Sequence, residues 1–99
     1  MMVMFDLPVQ TNVDKTHYRH FHDFLLDDGF LMMQFSVYGR HCASREIAET
    51  HQRRVGLAVP PNGQIRVLQV TEAQFGRMTI FENYVVRKPE PAPLALEFW

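Results

Sequence analysis

The segment that most constrains this chain is its first seven residues. Met1 to Leu7 is apolar except for Asp6, and the run stops at Pro8. A short apolar run closed by a proline reads as a buried strand rather than a helix. A strand apolar at successive positions belongs in the middle of a sheet, where both faces are covered. Asp6 then stands at the end of a central strand. Burying an unpaired carboxylate costs several kcal/mol, so hydrogen bonds, a cation or a metal must compensate it. The plainer reading is a strand-end aspartate that bonds turn amides.

The rest of the chain alternates helix and strand signals. Thr11 or Asn12 can cap a helix, and Thr11 with Asp14 three residues on resembles a capping box. Tyr18, Phe21, Phe24 and Leu25 recur at helical spacing and give one apolar face. Gly29 closes that helix as a residue just past the last turn does. Phe30 to Tyr38 reads as strand, with Gln34 marking a bend or bulge that divides it in two. Ser44 is a candidate cap for a second helix, in which Ile47, His51 and Val55 share a face. Pro60, Pro61, Asn62 and Gly63 form a turn. Ile65 to Thr71 reads as strand, Glu72 to Gly76 as a polar connector, and Met78 to Phe81 as a further short strand.

This order is the βαββαβ pattern of a ferredoxin-like α+β sandwich with an extra C-terminal strand. The expected organisation is one domain over residues 1–88, with the added strand at about 78–82. An extended tail over residues 89–99 would pair with a partner chain. Two helices cover one face of such a sheet, so the other face needs a cover. Val3 and Phe5, or the residues alternating with them, would line it. A homodimer with stacked sheets is the economical solution.

Composition adds boundaries. The chain has 99 residues, 46% of them apolar, which suits a single small domain with a real core. Net charge is −1, but unevenly spread: the balance is −3 over Met1–Gly39 and +4 over Arg40–Lys88. The second half therefore holds the cations for any basic surface, although an ordinary mixed surface reads the same way. Cys42 is the only cysteine, so no internal disulfide forms and a cytoplasmic setting is expected. No apolar run approaches the ~20 residues of a membrane span, and no signal-peptide pattern precedes the first strand.

Asp6 is the first candidate for chemistry. Across a dimer axis two copies of it would repel unless a hard divalent cation or a shared proton lay between them. Such a cation polarises phosphate and activates water. Gln34-Phe35-Ser36-Val37-Tyr38 is the second constellation. In a strand, the Ser36 hydroxyl would leave on the face opposite Phe35 and Val37, where it can bond a phosphate or orient a carboxylate. Tyr38 is a candidate base-stacking ring, though more often such a ring is core; Arg40 is a candidate phosphate clamp, though more often solvated. Arg45, Arg53 and Arg77 complete the candidate nucleic-acid contacts. His17, His20 and His22 share a helix, but convergent zinc ligands are too few.

Phe5-Asp6-Leu7-Pro8 and Gln34-Phe35-Ser36-Val37-Tyr38 together resemble the small CRISPR-associated endonuclease family, the second of the two nearly universal Cas proteins. The likeness is greatest to the variants that accompany type II systems. Gly29-Phe30, the proline turn with Gly63, Gln64-Ile65-Arg66-Val67-Leu68, Thr71-Glu72-Ala73-Gln74-Phe75, Met78-Thr79-Ile80-Phe81 and the closing Leu94–Phe98 pattern extend it over nearly the whole chain. The resemblance implies a homodimer whose C-terminal strand adds to the partner's sheet. It implies a Mg²⁺-dependent endonuclease acting on RNA or double-stranded DNA, with the metal-binding aspartate at Asp6 and the strand-two serine at Ser36. It further implies a role in spacer acquisition and antiviral defence, in which the dimer bridges two dimers of the adaptation integrase and helps hold the protospacer DNA. The slightly acidic balance, and a tail without a lysine-rich run, point to reliance on the integrase for DNA binding. Two rival functions share the same fold: a non-catalytic scaffold of the integrase complex, and a toxin-like RNA interferase.

Overall fold

A computed structural model describes residues 1–83 of the chain. Strand β1, Met2–Asp6, alternates strictly: Val3 and Phe5 are buried, Met2 and Met4 half-buried, Asp6 exposed. It lies second from one edge of a four-stranded antiparallel sheet ordered β2-β3-β1-β4, where β2 is Leu31–Gln34, β3 Val37–Gly39 and β4 Gln64–Leu68. Helix α1, Asn12–Asp27, follows β1, and helix α2, Arg45–Leu57, follows β3. The βαββαβ order and this strand order together are the ferredoxin-like topology.

Local chemistry sets the boundaries of these elements. Thr11 caps α1 through its hydroxyl to the Asp14 amide (3.0 Å), and the Asp14 carboxylate returns a bond to the Thr11 amide (3.1 Å). Gly29 ends α1 at φ +88°, a left-handed conformation that costs a side chain more than it costs glycine. A Cβ there would also strike the Arg40 guanidinium, which donates to the Asp28 carbonyl. Ser44 caps α2 by accepting from the Ile47 amide. The buried side of α2 is Ala48, His51 and Val55; Ile47, expected on that side, is exposed because the stripe begins one residue later.

The core lies between the sheet and both helices. Val3, Phe21, Leu25, Phe30, Tyr38 and Val55 are all at most 1% exposed. Phe5 is the hub: its ring meets Phe21 edge-on at 5.1 Å and stacks on Tyr38 at 5.6 Å. Val3 and Phe5 thus face the helices, and Met2 and Met4 are the residues on the open side.

Two elements depart from the sequence reading. Glu72–Gly76 is a short helix, α3, rather than a connector; Thr71 caps it, and a Thr71–Gln74 capping box holds its first turn. The strand expected at 78–82 is absent within the described residues: 78–83 carry no regular structure. A strand needs a neighbour to satisfy its ladder, and none is offered to this segment by the described part of one chain. The tail at 89–99, with its expected pairing to a partner, lies outside the described residues.

Candidate functional site

The register of β1 arranges its open face in rungs. Cross-strand partners share a side of an antiparallel sheet. Leu31, Gly39, Met2 and Leu68 form the first rung, Gln34, Val37, Met4 and Arg66 the second, and Asp6 with Gln64 the third. Leu31 is 73% exposed and Leu68 49% exposed, so this apolar side is uncovered in a single chain. Asp6 stands at its margin, where the chain leaves the sheet for Leu7 and Pro8.

Asp6 is exposed, contrary to the burial expected at the end of a central strand. The reason is length: β1 is central, but β3 ends its pairing with β1 at Met4↔Val37, while β4 continues to Asp6↔Gln64. One flank of Asp6 is therefore open to water. Among the described residues its carboxylate takes part in no hydrogen bond or ion pair, so the turn amides do not hold it.

Ser36 is brought next to this corner, but not as a strand residue. Phe35 and Ser36 form the two-residue turn between β2 and β3, closed by the Gln34↔Val37 pair. Ser36 has φ +62°, a left-handed conformation uncommon outside glycine, asparagine and aspartate. Strand alternation does not set the direction of its hydroxyl, because β2 ends at Gln34. The expected break near Gln34 is real, with a register shift between Met32 and Gln34. The Ser36 carbonyl accepts the Phe5 amide (3.1 Å), which ties the turn to the residue before Asp6.

The remaining candidates are dispersed. Tyr38 is 1% exposed and packed on Phe5, so its ring offers no face to a base, and burial, with a smaller effect from Tyr18, pushes its phenol above the usual value. Arg40 is committed to the α1 terminus through its bond to the Asp28 carbonyl, and its Nε is buried without a partner. Arg40 and Arg45 line a cavity of about 790 Å³ beside Met1, at the opposite end of β1 from Asp6. Arg53 is exposed on α2, and Arg77 is exposed just after α3. The structure ties the Ser36 turn to Phe5, next in sequence to Asp6, and separates this corner from Arg40 and Arg45.

Two features escaped the sequence reading. Arg66 belongs to the open face, one rung from Asp6, and the alternation of Gln64–Leu68 was the signal for it. Asp28 forms a cluster with α2: its carboxylate lies 2.6 Å from His51 Nδ1 and accepts from the Arg54 guanidinium at 2.9 Å. Both Asp28 and His51 side chains are under 10% exposed. Burial alone would raise the Asp28 carboxyl, but the hydrogen bonds and charges of His51 and Arg54 outweigh it and hold the group below the usual aspartate value.

An antiparallel β2-β3-β1-β4 sheet with its helices packed on one side defines a ferredoxin-like α+β domain. The family model for the CRISPR associated protein Cas2 matches residues 1–78, and the chain belongs to that family. A protein of Parvibaculum lavamentivorans named CRISPR-associated endoribonuclease Cas2 is 48% identical over 91 residues, which cover 92% of this chain and 87% of that one. A protein of the same name from Acidovorax ebreus is 46% identical over 97% of each chain. The crystal structure of Streptococcus pyogenes Cas2 at pH 6.5 superposes with a TM-score of 0.59, covering 82% of this chain and 96% of that one. Its 18% identity makes the likeness one of fold. No helix among the described residues is long and apolar enough to cross a membrane.

Proposed function

We propose that the chain is a Mg²⁺-dependent endonuclease that works as a homodimer in CRISPR adaptation, with Asp6 as its acidic centre. The observation that carries this reading is the position of Asp6. It is a carboxylate exposed at the margin of an uncovered apolar sheet face, on a strand anchored in the core, and unused by any contact within the described chain. Support for the reaction class comes from the relatives at 46–48% identity, whose names call them endoribonucleases; RNA is therefore the favoured substrate, with double-stranded DNA as the other.

The donor set suits magnesium. Among the described residues no three acidic, histidine or cysteine side chains converge into a metal cage. Mg²⁺ does not require one, because it keeps several waters and is commonly held by one or two carboxylates plus substrate phosphate. Asp6 from each of two copies would supply those carboxylates. Bound there, the ion would neutralise charge on the scissile phosphate and lower the pKa of an attacking water. The chain's own residues would position the substrate. Ser36, in the turn beside Phe5, would hydrogen-bond a phosphate oxygen. Covering Met2, Met4, Leu31 and Leu68 with a second copy would remove apolar surface from water and place both Asp6 residues in one cleft.

In the cell, the dimer would bridge two integrase dimers and help hold the protospacer DNA. The single carboxylate per chain also favours a second reading, a scaffold whose cleavage is dispensable. Asp6→Ala separates the two. With Mg²⁺ or Mn²⁺, cleavage of single-stranded RNA or double-stranded DNA should fall at least ~100-fold. Spacer acquisition that persists in the same variant would assign the biology to the scaffold. A wild-type dimer that cleaves neither polymer would remove the enzymatic reading, and a chain that sediments as a monomer at micromolar concentration would remove the shared cleft.

A further inference from the structure

Phe35 is 83% exposed, although it is a phenyl ring in a turn, where small polar residues are the usual occupants. The turn is tightly built: Gln34↔Val37 closes it, and Ser36 completes it at φ +62°. A left-handed serine carries a local energetic cost, and such costs gather where a neighbouring group must be held in place. The Ser36 carbonyl fastens the turn to Phe5, next in sequence to Asp6. Tyr38, the other aromatic of the segment, is sealed in the core. A single ring is therefore left in water on a short, pinned turn beside the proposed acidic centre.

We infer that Phe35 is a stacking platform for an unpaired nucleobase next to the scissile phosphate, and that it selects single-stranded RNA over duplexes. The inference rests on the reading of Asp6 given above and names the residue that would discriminate among its substrates. An aromatic side chain gains stacking energy from any base with a free face and so ignores sequence. Bases in a duplex are already stacked on their neighbours and gain nothing from the ring without being extruded. Cations on the surface would meet the backbone of either polymer, so charge contributes affinity and the ring contributes the choice between them.

The test compares wild type, Phe35→Ala and Phe35→Trp for binding to three probes. These are a single-stranded RNA carrying 2-aminopurine, an abasic strand of the same length, and duplex DNA. Phe35→Ala should weaken binding to the RNA by roughly 5- to 150-fold and abolish the quenching of 2-aminopurine fluorescence. Phe35→Trp should restore both. The abasic strand should bind wild type and Phe35→Ala alike, and duplex affinity should be the same for all three proteins. Unchanged RNA binding in Phe35→Ala overturns the proposal, as does an equal loss on duplex and abasic strands, or no wild-type binding to RNA. Sedimentation of Phe35→Ala as a monomer also overturns it, because the ring would then belong to the contact between copies. Asp6→Ala is run in parallel: cleavage at wild-type rate would defeat the reading of Asp6, whereas loss of cleavage with Phe35→Ala binding intact would defeat only the stacking role.

Discussion

Asp6 and Asp28 both end an element of secondary structure, and they have opposite fates. Asp28 follows the last turn of α1 and is consumed by the fold: His51 and Arg54 hold its carboxylate, and its own carbonyl accepts from Arg40. Its side chain is 8% exposed. Asp6 follows the last ladder bond of β1 on one side, reaches solvent, and bonds to nothing among the described residues. An acid held by two side chains of a neighbouring helix cannot serve a substrate without disrupting its surroundings. An acid with none contributes nothing to folding and is free to act. The pair shows how environment, and not residue type, divides structural from functional carboxylates.

The largest effect belongs to Asp28. Removing it leaves His51 buried without its partner and unties α1 from α2, so Asp28→Ala should lose about 3–5 kcal/mol of stability, measured by denaturant unfolding. A loss below about 1 kcal/mol would mean that the cluster is ornamental. Acid gives a smaller and graded effect. The Asp28 carboxyl is held below its usual value in the folded chain, so its contribution is complete above that value and is lost as pH falls through the folded one. The melting midpoint of wild type should therefore drop between about pH 5 and pH 2 more steeply than that of Asp28→Asn. Parallel curves would place the acid sensitivity elsewhere. The smallest effect belongs to Asp6: Asp6→Asn should leave the melting midpoint within about 2 °C of wild type. A clear loss would show that Asp6 has a structural partner after all, whereas a stabilisation would report relief of repulsion between two Asp6 carboxylates.

How far the sequence could be read follows the range of the interactions involved. The capping of α1 by Thr11 and its termination at Gly29 depend on residues at most a few positions apart, so they were legible. So was the break near Gln34. The short helix α3 was missed although Thr71-x-x-Gln74 carries its capping box, because a five-residue element gives no periodic pattern to support that signal. The Asp28–His51 contact spans 23 positions and leaves no local trace. The spacing of Ile47, His51 and Val55 places His51 on the apolar face, as its burial bears out, but gives no sign of its partner. At the candidate site, the position of Asp6 on a central strand was legible, whereas its exposure was not. Exposure depends on where β3 stops pairing with β1, and that is set by the turn at Phe35 and Ser36. The same turn removed the strand geometry on which the argument for the Ser36 hydroxyl relied.

The bond between the Phe5 amide and the Ser36 carbonyl reaches beyond the turn it holds. Phe5 has its ring packed among Phe21, Tyr18 and Tyr38 and its amide proton engaged by the Ser36 carbonyl. Asp6 is its immediate neighbour, so an acid in contact with water hangs from a residue packed into the core. A reactive group mounted this way keeps a fixed address without any shell of its own, and the interior of the protein does the aiming.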